Sequence, residues 1–403
     1  MTGFKKFISG MLTAFICMMP LTAHAEDITG VPGGDSADGL WHYNLYDDGT
    51  VSITCLDNTI TEAVIPSEID GHIINMIELD CFKDNTNLKK VTLPDTITVL
   101  EDYAFYLCSG LQEINIPDSV EKLGFQTFYG CSSLKEITIP ANVSEIEGFT
   151  FEGCNSLTAV HVNQRNQNYQ DKDGVLFTKD GSELLLYPSA KTGTSYAVPE
   201  DCHKLEAYAF MANPYLEEIN IAPVTEMGED IFYYCTALKS MTIPEGITFL
   251  QGSMFGNCTS LTSVTLPRSL TALGSGCFYN CVKLASITLP DALETVNDYA
   301  FFNCASLTSI RVSEHVRTIG EYAFGFYYGT DDELKRLPGF ELDADNGTAG
   351  FQYAAENSIK CTGGITQGIV FLYIIIGIVV LVIAVVILLI IMQKRYQKQH
   401  DIR

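Results

Sequence analysis

Residues Leu261 to Lys283 read LTSVTLPRSLTALGSGCFYNCVK, and their reading decides the fold because most of the chain repeats them. Proline returns at 94, 117, 140, 244, 267 and 290, and phenylalanine at 82, 105, 128, 151, 232, 255, 278, 301 and 324. Within each half the period is 23 residues. A unit that short cannot bury its apolar face alone, so the period predicts a solenoid of stacked rungs. In one rung Leu261, Val264 and Leu266 are apolar around Ser263 and Thr265, which reads as one short strand. Pro267 ends it, having no amide donor and a fixed φ. Leu270, Leu273, Phe278 and Cys281 are expected to point inward. Gly274, like Gly124 and Gly320, stands where a Cβ would obstruct a tight turn.

The strand runs LKEITIP, LTSVTLP and LASITLP, with the return segments DYAFYLC, FQTFYGC, DYAFFNC and EYAF, resemble the BspA-like branch of leucine-rich repeats. The resemblance covers most of the chain outside its ends. It implies a mainly β leucine-rich-repeat solenoid, with a parallel short-strand sheet on a concave face and irregular or short helical turns on a convex one. It also implies a place at the cell surface and an association with adhesion.

Working outward, residues 1–25 carry Lys5 and Lys6, an apolar run from Phe7 to Met19 and the small-residue ending Ala23, His24, Ala25, the pattern of a secretory signal peptide. Residues 26–39 are Gly- and Asp-rich and are expected to be a flexible lead-in. Residues 40–59 read as a hairpin cap turning at Asp47, Asp48 and Gly49, and residues 60–330 as the repeat array. Its first repeat has a small extra turn near Asp70 and Gly71. The spacing breaks once, where residues 163–191 look like a hairpin excursion inserted into one continuous array.

Residues 331–364 are expected to cap the last rung. A charged loop or extra turn at 331–336 opens this stretch, and a short helix around Ala354 and Ala355 precedes a final strand at Ile359. Residues 369–392 form 24 uncharged positions, long enough as a helix to cross a hydrocarbon core of about 30 Å. Lys394, Arg395, Lys398 and Arg403 in the tail 393–403 follow the positive-inside rule, so both ends predict an outward-facing array on a single transmembrane helix. There is no Leu-Pro-x-Thr-Gly sorting signal, which leaves the bilayer as the expected anchor.

The formal net charge of -25 argues against nucleic acid as a partner, since an acidic surface repels phosphate. Of 13 cysteines, seven share one slot: Cys108, Cys131, Cys154, Cys235, Cys258, Cys281 and Cys304, with Asn85 taking the slot in an early rung. Adjacent rungs bring such positions within disulfide range, but stacked side chains point the same way. Reduced core thiols are therefore favoured over ladder disulfides, with pairing left open by the oxidising environment of an exported chain. Cys81 and Cys277 occupy the small slot before Phe.

The histidines are dispersed, no catalytic triad or metal-ligand spacing forms from sequence neighbours, and Asp171 and Asp173 read as a turn rather than a calcium loop. No enzyme activity, metal or cofactor is expected. The outward strand slots supply candidate partner-binding residues Lys90, Glu113, Glu136, His161 and Arg311; the insertion adds Asp173 and Lys179, and the aromatic loop Phe326, Tyr327 and Tyr328. The expected function is a membrane-anchored recognition or adhesion module for an extracellular protein or glycan. The alternatives are a receptor subunit signalling through a membrane partner, a structural surface protein, and an enzyme whose site is built from distant residues. Asn142, Asn257 and Asn346 begin glycosylation sequons that matter only in a host that uses them.

Overall fold

The computed structural model describes residues 31–363 and, beyond them, residues 375, 376, 378–383, 385, 387 and 390. The expected signal peptide, residues 26–30 of the lead-in, the tail and, within the expected membrane span, residues 369–374, 377, 384, 386, 388, 389, 391 and 392 lie outside the described residues. Among the described residues no helix is long and apolar enough to cross a membrane. Those described within 369–392 are helical and expose apolar side chains such as Leu381 and Val380.

Each regular rung contributes to two parallel ladders, one more than the alternation in Leu261–Leu266 suggests. In the first ladder Ser240–Thr242 pairs with Ser263–Thr265, residue for residue at the period of the repeat. In the second, Ala272–Leu273 lies between Phe249–Leu250 and Thr295–Val296. The second strand is two residues long, too short for alternation to announce it. It forms because Leu250, Leu273 and Val296 are all wholly buried, which holds their main chains in register. The chain then turns through Phe278 and Cys281, and the turns are laddered too. The amides of Tyr103, Phe105 and Leu107 donate to the carbonyls of Phe125, Thr127 and Tyr129 at 2.9, 2.9 and 2.7 Å. Two residues per turn take left-handed φ, among them Tyr103 and Leu107, a strain that the cross-rung hydrogen bonds offset.

The phenylalanines stack through the core. Centroids of Phe82, Phe105 and Phe128 are 5.2 and 5.4 Å apart with planes within 8°. From Phe210 the stack continues to Phe324, with Phe255 on Phe278 at 5.3 Å and 7°. Each end of the stack is closed by an aromatic ring set edge-on. Trp41 meets Phe82 at 6.1 Å and 77°, and Tyr353 meets Phe324 at 5.9 Å and 86°. Tyr353 also satisfies the last rung's main chain: its hydroxyl accepts from the Phe324 amide at 3.0 Å and donates to the Phe324 carbonyl at 3.1 Å. Its helix, Ala349–Glu356, is N-capped by Thr348.

Three stretches differ from their sequence reading. Val31–Asp35, inside the supposed flexible lead-in, is a strand paired antiparallel with Trp41–Leu45. Gly33 permits it, since a Cβ there would lie 1.4 Å from the Tyr43 carbonyl oxygen. Residues 331–336 are no isolated loop, because Leu334–Arg336 pairs antiparallel with Phe326–Tyr328. The insertion, read as a hairpin excursion, has a third strand and is built into the core. Tyr169–Lys172, Val175–Thr178 and Glu183–Leu186 form an antiparallel meander, and the last of these runs parallel to Lys204–Leu205, in a second-ladder position. Tyr187 takes the place of a ladder Phe, stacking on Phe210 at 5.1 Å.

The insertion also divides the hydrophobic interior. Leu176 packs in the N-terminal core, while its neighbours Val175 and Phe177 pack in the C-terminal one. One strand therefore seals two cores, which its alternating sides allow.

Candidate functional site

The outward column of the first ladder runs Glu62, Lys90, Glu113 in register, with Glu136 in the same slot of the next rung. Lys90 Nζ lies 3.1 Å from Glu113, and His161 Nε2 lies 3.7 Å from Glu136, all four being exposed. Exposed pairs of this kind hold their partners weakly and can exchange them. Arg311 is more tightly engaged, with Nη1 on Asp343 at 2.8 Å and Nη2 on Asp345 at 2.7 Å, so it ties the array to its cap.

In the insertion, Lys191 Nζ donates to the carbonyl and carboxylate of Asp173 at 2.6 and 3.0 Å, and Lys179 is exposed at the hairpin turn. Phe326 has to be struck from the candidate contacts. It is buried with its ring 5.1 Å from Tyr322, because the strand that carries it folds back over the last rung. Tyr328 is exposed and Tyr327 half-buried. The structure thus gathers Lys90, Glu113, Glu136 and His161 on one stretch of the outward strand face, sets Arg311 in an outward strand slot at the C-terminal end of the array, and leaves Asp173, Lys179 and the Tyr327–Tyr328 pair off that face.

The turns also carry exposed-side aromatics beyond the loop Phe326–Tyr328 that the sequence singled out. Tyr106 stacks on Tyr129 at 4.9 Å, and Lys83 Nζ sits 5.3 Å over the Tyr103 ring and 5.7 Å over that of Tyr106. The signal was the position directly after the ladder Phe, held by Tyr106, Tyr129, Tyr233, Tyr279 and Phe302.

A cavity of about 420 Å³ opens where the insertion interrupts the turns, between the rung of Phe149 to Cys154 and that of Tyr208 to Ala212. At one edge of it the Phe149 and Tyr208 rings are in contact, with centroids 4.9 Å apart. Glu147, at its rim, pairs with Lys122 at 2.6 Å, and Glu183 and Glu206 share Lys204 at 3.2 and 2.9 Å. The Glu152 carboxylate has no hydrogen-bond or ion-pair partner among the described residues. Burial, and then the charge of Asp230, push its pKa up to about 7. Asp230 is likewise raised to about 7 by burial and then by Glu229.

The BspA type leucine rich repeat model matches residues 57–172 and 203–328 in 6 copies, more than half of the chain. The chain belongs to that family. The gap in the match, 173–202, falls on the insertion and its return to the array. Among solved structures, the pneumococcal vaccine antigen PcpA is similar over 83% of this chain and 98% of its own, at 18% identity and a TM-score of 0.52. A leucine-rich repeat protein from Eubacterium ventriosum covers 67% of this chain and 94% of its own at 24% identity and a TM-score of 0.46. A leucine rich cell surface protein from Faecalibacterium prausnitzii covers 65% and 94% at 22% identity and a TM-score of 0.32. At these identities the likeness bears on fold alone. No curated protein matches the chain.

Proposed function

We propose that this BspA-type chain is a membrane-anchored surface module that recognises an extracellular protein or glycan through its outward strand face and works without catalysis. The observation that carries the reading is the registered column of exposed charges, Lys90, Glu113 and Glu136 with His161 beside them. These pairs are weak enough to be exchanged for a partner's groups. The leader and the apolar stretch 369–392, read from sequence, support an outward-facing array.

The test is binding of the full-length chain, held in lipid nanodiscs, to arrays of matrix proteins, mucins, glycans and bacterial surface extracts at two salt concentrations. Saturable binding to one class, lost in a Lys90→Glu/Glu136→Lys variant that still folds, supports the proposal. A folded chain that binds none of them, but co-purifies with a membrane subunit or self-associates, supports a receptor or structural role instead.

A further inference from the structure

Every hydrogen-bonded ladder of the array breaks at one place, the insertion. In the first ladder Ala159–Val162 pairs with Glu136–Ile139 and Ser195–Ala197 with Glu218–Asn220, but those two inner strands are not paired with each other. In the second, Glu145–Ile146 and Glu183–Leu186 lie in different sheets. In the turns, Gln126, Phe128 and Gly130 donate to Gly148, Thr150 and Glu152 at 3.2, 3.0 and 2.7 Å. One rung on, the amides of Phe149, Phe151 and Gly153 have no main-chain acceptor among the described residues. Tyr208, Phe210 and Ala212 then resume the pattern on Glu229, Ile231 and Tyr233. The hydrophobic interior divides at the same place.

The cause is length. Leu123 and Phe128 are five positions apart, whereas their counterparts Leu184 and Tyr187 are three apart, so the inserted rung is too short to build a turn. In its place the strap Leu185 to Ser189 crosses, with the Tyr187 amide on the Ala209 carbonyl at 2.7 Å and the Ser189 hydroxyl on the Cys154 carbonyl at 3.0 Å. Elsewhere the N-terminal rungs are held to the insertion by the Val160 amide on Gly174, by the Ala190 amide on Leu157, and by side chains such as Asn166 and Tyr169.

On the turn side a ring contact and an acidic group meet at the seam. Phe149 of the N-terminal half touches Tyr208 of the C-terminal half. The Tyr208 hydroxyl donates to Glu229 Oε1 at 3.4 Å and also faces the carboxylates of Asp230 and Glu152. Glu152 belongs to the N-terminal half, Glu229 and Asp230 to the C-terminal one. The other titratable groups about them are the Tyr106 and Tyr129 hydroxyls beside Glu152, and Tyr233 and the Cys277 thiol beside Asp230. The rim lysines Lys122 and Lys204 are engaged by Glu147, Glu183 and Glu206. Burial holds the protons of Glu152 and Asp230 up to about 7, so both change charge near neutrality. Like charges facing each other across a seam that no ladder bridges repel and draw in water, whereas the neutral pair does neither.

We propose that the insertion is a pH-sensitive hinge between two half-arrays, closed when Glu152 and Asp230 are neutral and opening about the strap, at the Phe149–Tyr208 contact, when both are ionised. The charged column Lys90 to His161 lies in the N-terminal half and the cap helix in the C-terminal one, so opening turns the strand face relative to the cap. The hinge stands or falls independently of what the strand face binds.

The experiment places pairs of spin labels on the full-length chain in nanodiscs, introduced as an unnatural amino acid so that the cysteines are untouched. Distance distributions are measured at about pH 5 and about pH 8, on either side of the carboxyl transition. Lys89 and Thr308 are exposed, one in each half, while Thr194 and Thr308 span the C-terminal half alone. The expected result is a narrow Lys89–Thr308 distribution at the lower pH that broadens and shifts at the higher, with Thr194–Thr308 unchanged. Glu152→Gln/Asp230→Asn, uncharged at these positions throughout, should stay narrow at both. Glu152→Gln alone carries the test if the Thr194–Thr308 distance shows the double variant to be misfolded. Phe149→Ala, which removes the ring contact and no charge, should broaden Lys89–Thr308 already at the lower pH. A wild-type distribution that ignores pH overturns the proposal. So does broadening that survives in the uncharged variant, or equal broadening of both label pairs, which is expansion of the whole array and not a hinge.

Discussion

The Cys131 thiol donates to the carbonyl oxygen of Phe105, one rung back, at 3.2 Å. The same carbonyl accepts the Cys108 amide at 3.1 Å, so both of its lone pairs are used. All seven ladder cysteines repeat the contact at 3.0 to 3.2 Å, and asparagine does the same work in the rungs of Asn85 and Asn213. The slot therefore requires a small donor, which explains why Cys and Asn share it.

Thiol labelling should follow from this burial. Burial pushes the pKa of Cys108, Cys154 and Cys235 up to about 12, so almost no thiolate exists at neutral pH. In native protein only half-buried Cys55 and Cys361, among the described cysteines, should react with a thiol reagent at pH 8 within minutes. Unfolding without reductant should release the others in full. A shortfall by pairs would show ladder disulfides and refute the hydrogen-bonded thiols.

Truncating the Phe stack should cost unequal amounts. Phe278 stacks on both Phe255 and Phe301, and Phe278→Ala should destabilise by about 3 to 5 kcal/mol. Phe151 stacks on Phe128 alone, at 6.0 Å, and borders the cavity, so Phe151→Ala should cost about 2 to 3 kcal/mol. Urea midpoints of the two variants check the order. Equal losses would mean the turn cavity is closed in solution.

The period, the Phe stack and the cap helix were legible because each is written in side chains that recur or alternate. The two-residue second ladder was not, since no pattern fits in two residues and its register comes from burial of Leu250, Leu273 and Val296. The strand at Val31–Asp35 hid behind glycines, whose low strand propensity is overruled by the close approach of Tyr43. Of the candidate contacts, the charged column on the strand face followed from alternation, and Phe326 failed because burial by a returning hairpin is a tertiary event. The turn cavity could be read only by counting the two residues missing between Leu184 and Tyr187.

Stability should fall as pH rises through neutrality. Glu152 and Asp230 sit at about 7 in the folded chain against ordinary values of 4.5 and 3.8. A raised folded-state pKa means the folded chain holds the proton more tightly. Its contribution is complete below the unfolded values, near pH 4, and is lost as pH climbs through about 7. Between pH 5 and pH 8 the pair should account for about 2 to 4 kcal/mol, less than the sum of independent shifts because the two charges interact. The general repulsion of an acidic chain has the same sign, so the measurement is the difference between wild type and Glu152→Gln/Asp230→Asn. The double variant should show the flatter dependence of Tm on pH, and an unchanged slope would refute the assignment.

Gly320 should tolerate no side chain, although its φ is not in the left-handed region. A Cβ there would lie 2.2 Å from Asp298 Oδ1 and 2.4 Å from the Asp298 amide nitrogen, which belong to the preceding rung. Asp298 is fixed in turn, because its Oδ1 accepts the Glu321 amide at 2.7 Å. The added methyl must therefore spread two rungs or break that bond, and Gly320→Ala should cost about 2 to 3 kcal/mol. Gly71→Ala separates this from ordinary glycine strain. Gly71 has φ of +85° but nothing near its missing Cβ, so only the backbone term of about 1 kcal/mol applies. Chemical denaturation of both variants should rank Gly320→Ala as the more damaging, and the reverse order would mean that turn conformation, not rung spacing, fixes glycine in this slot.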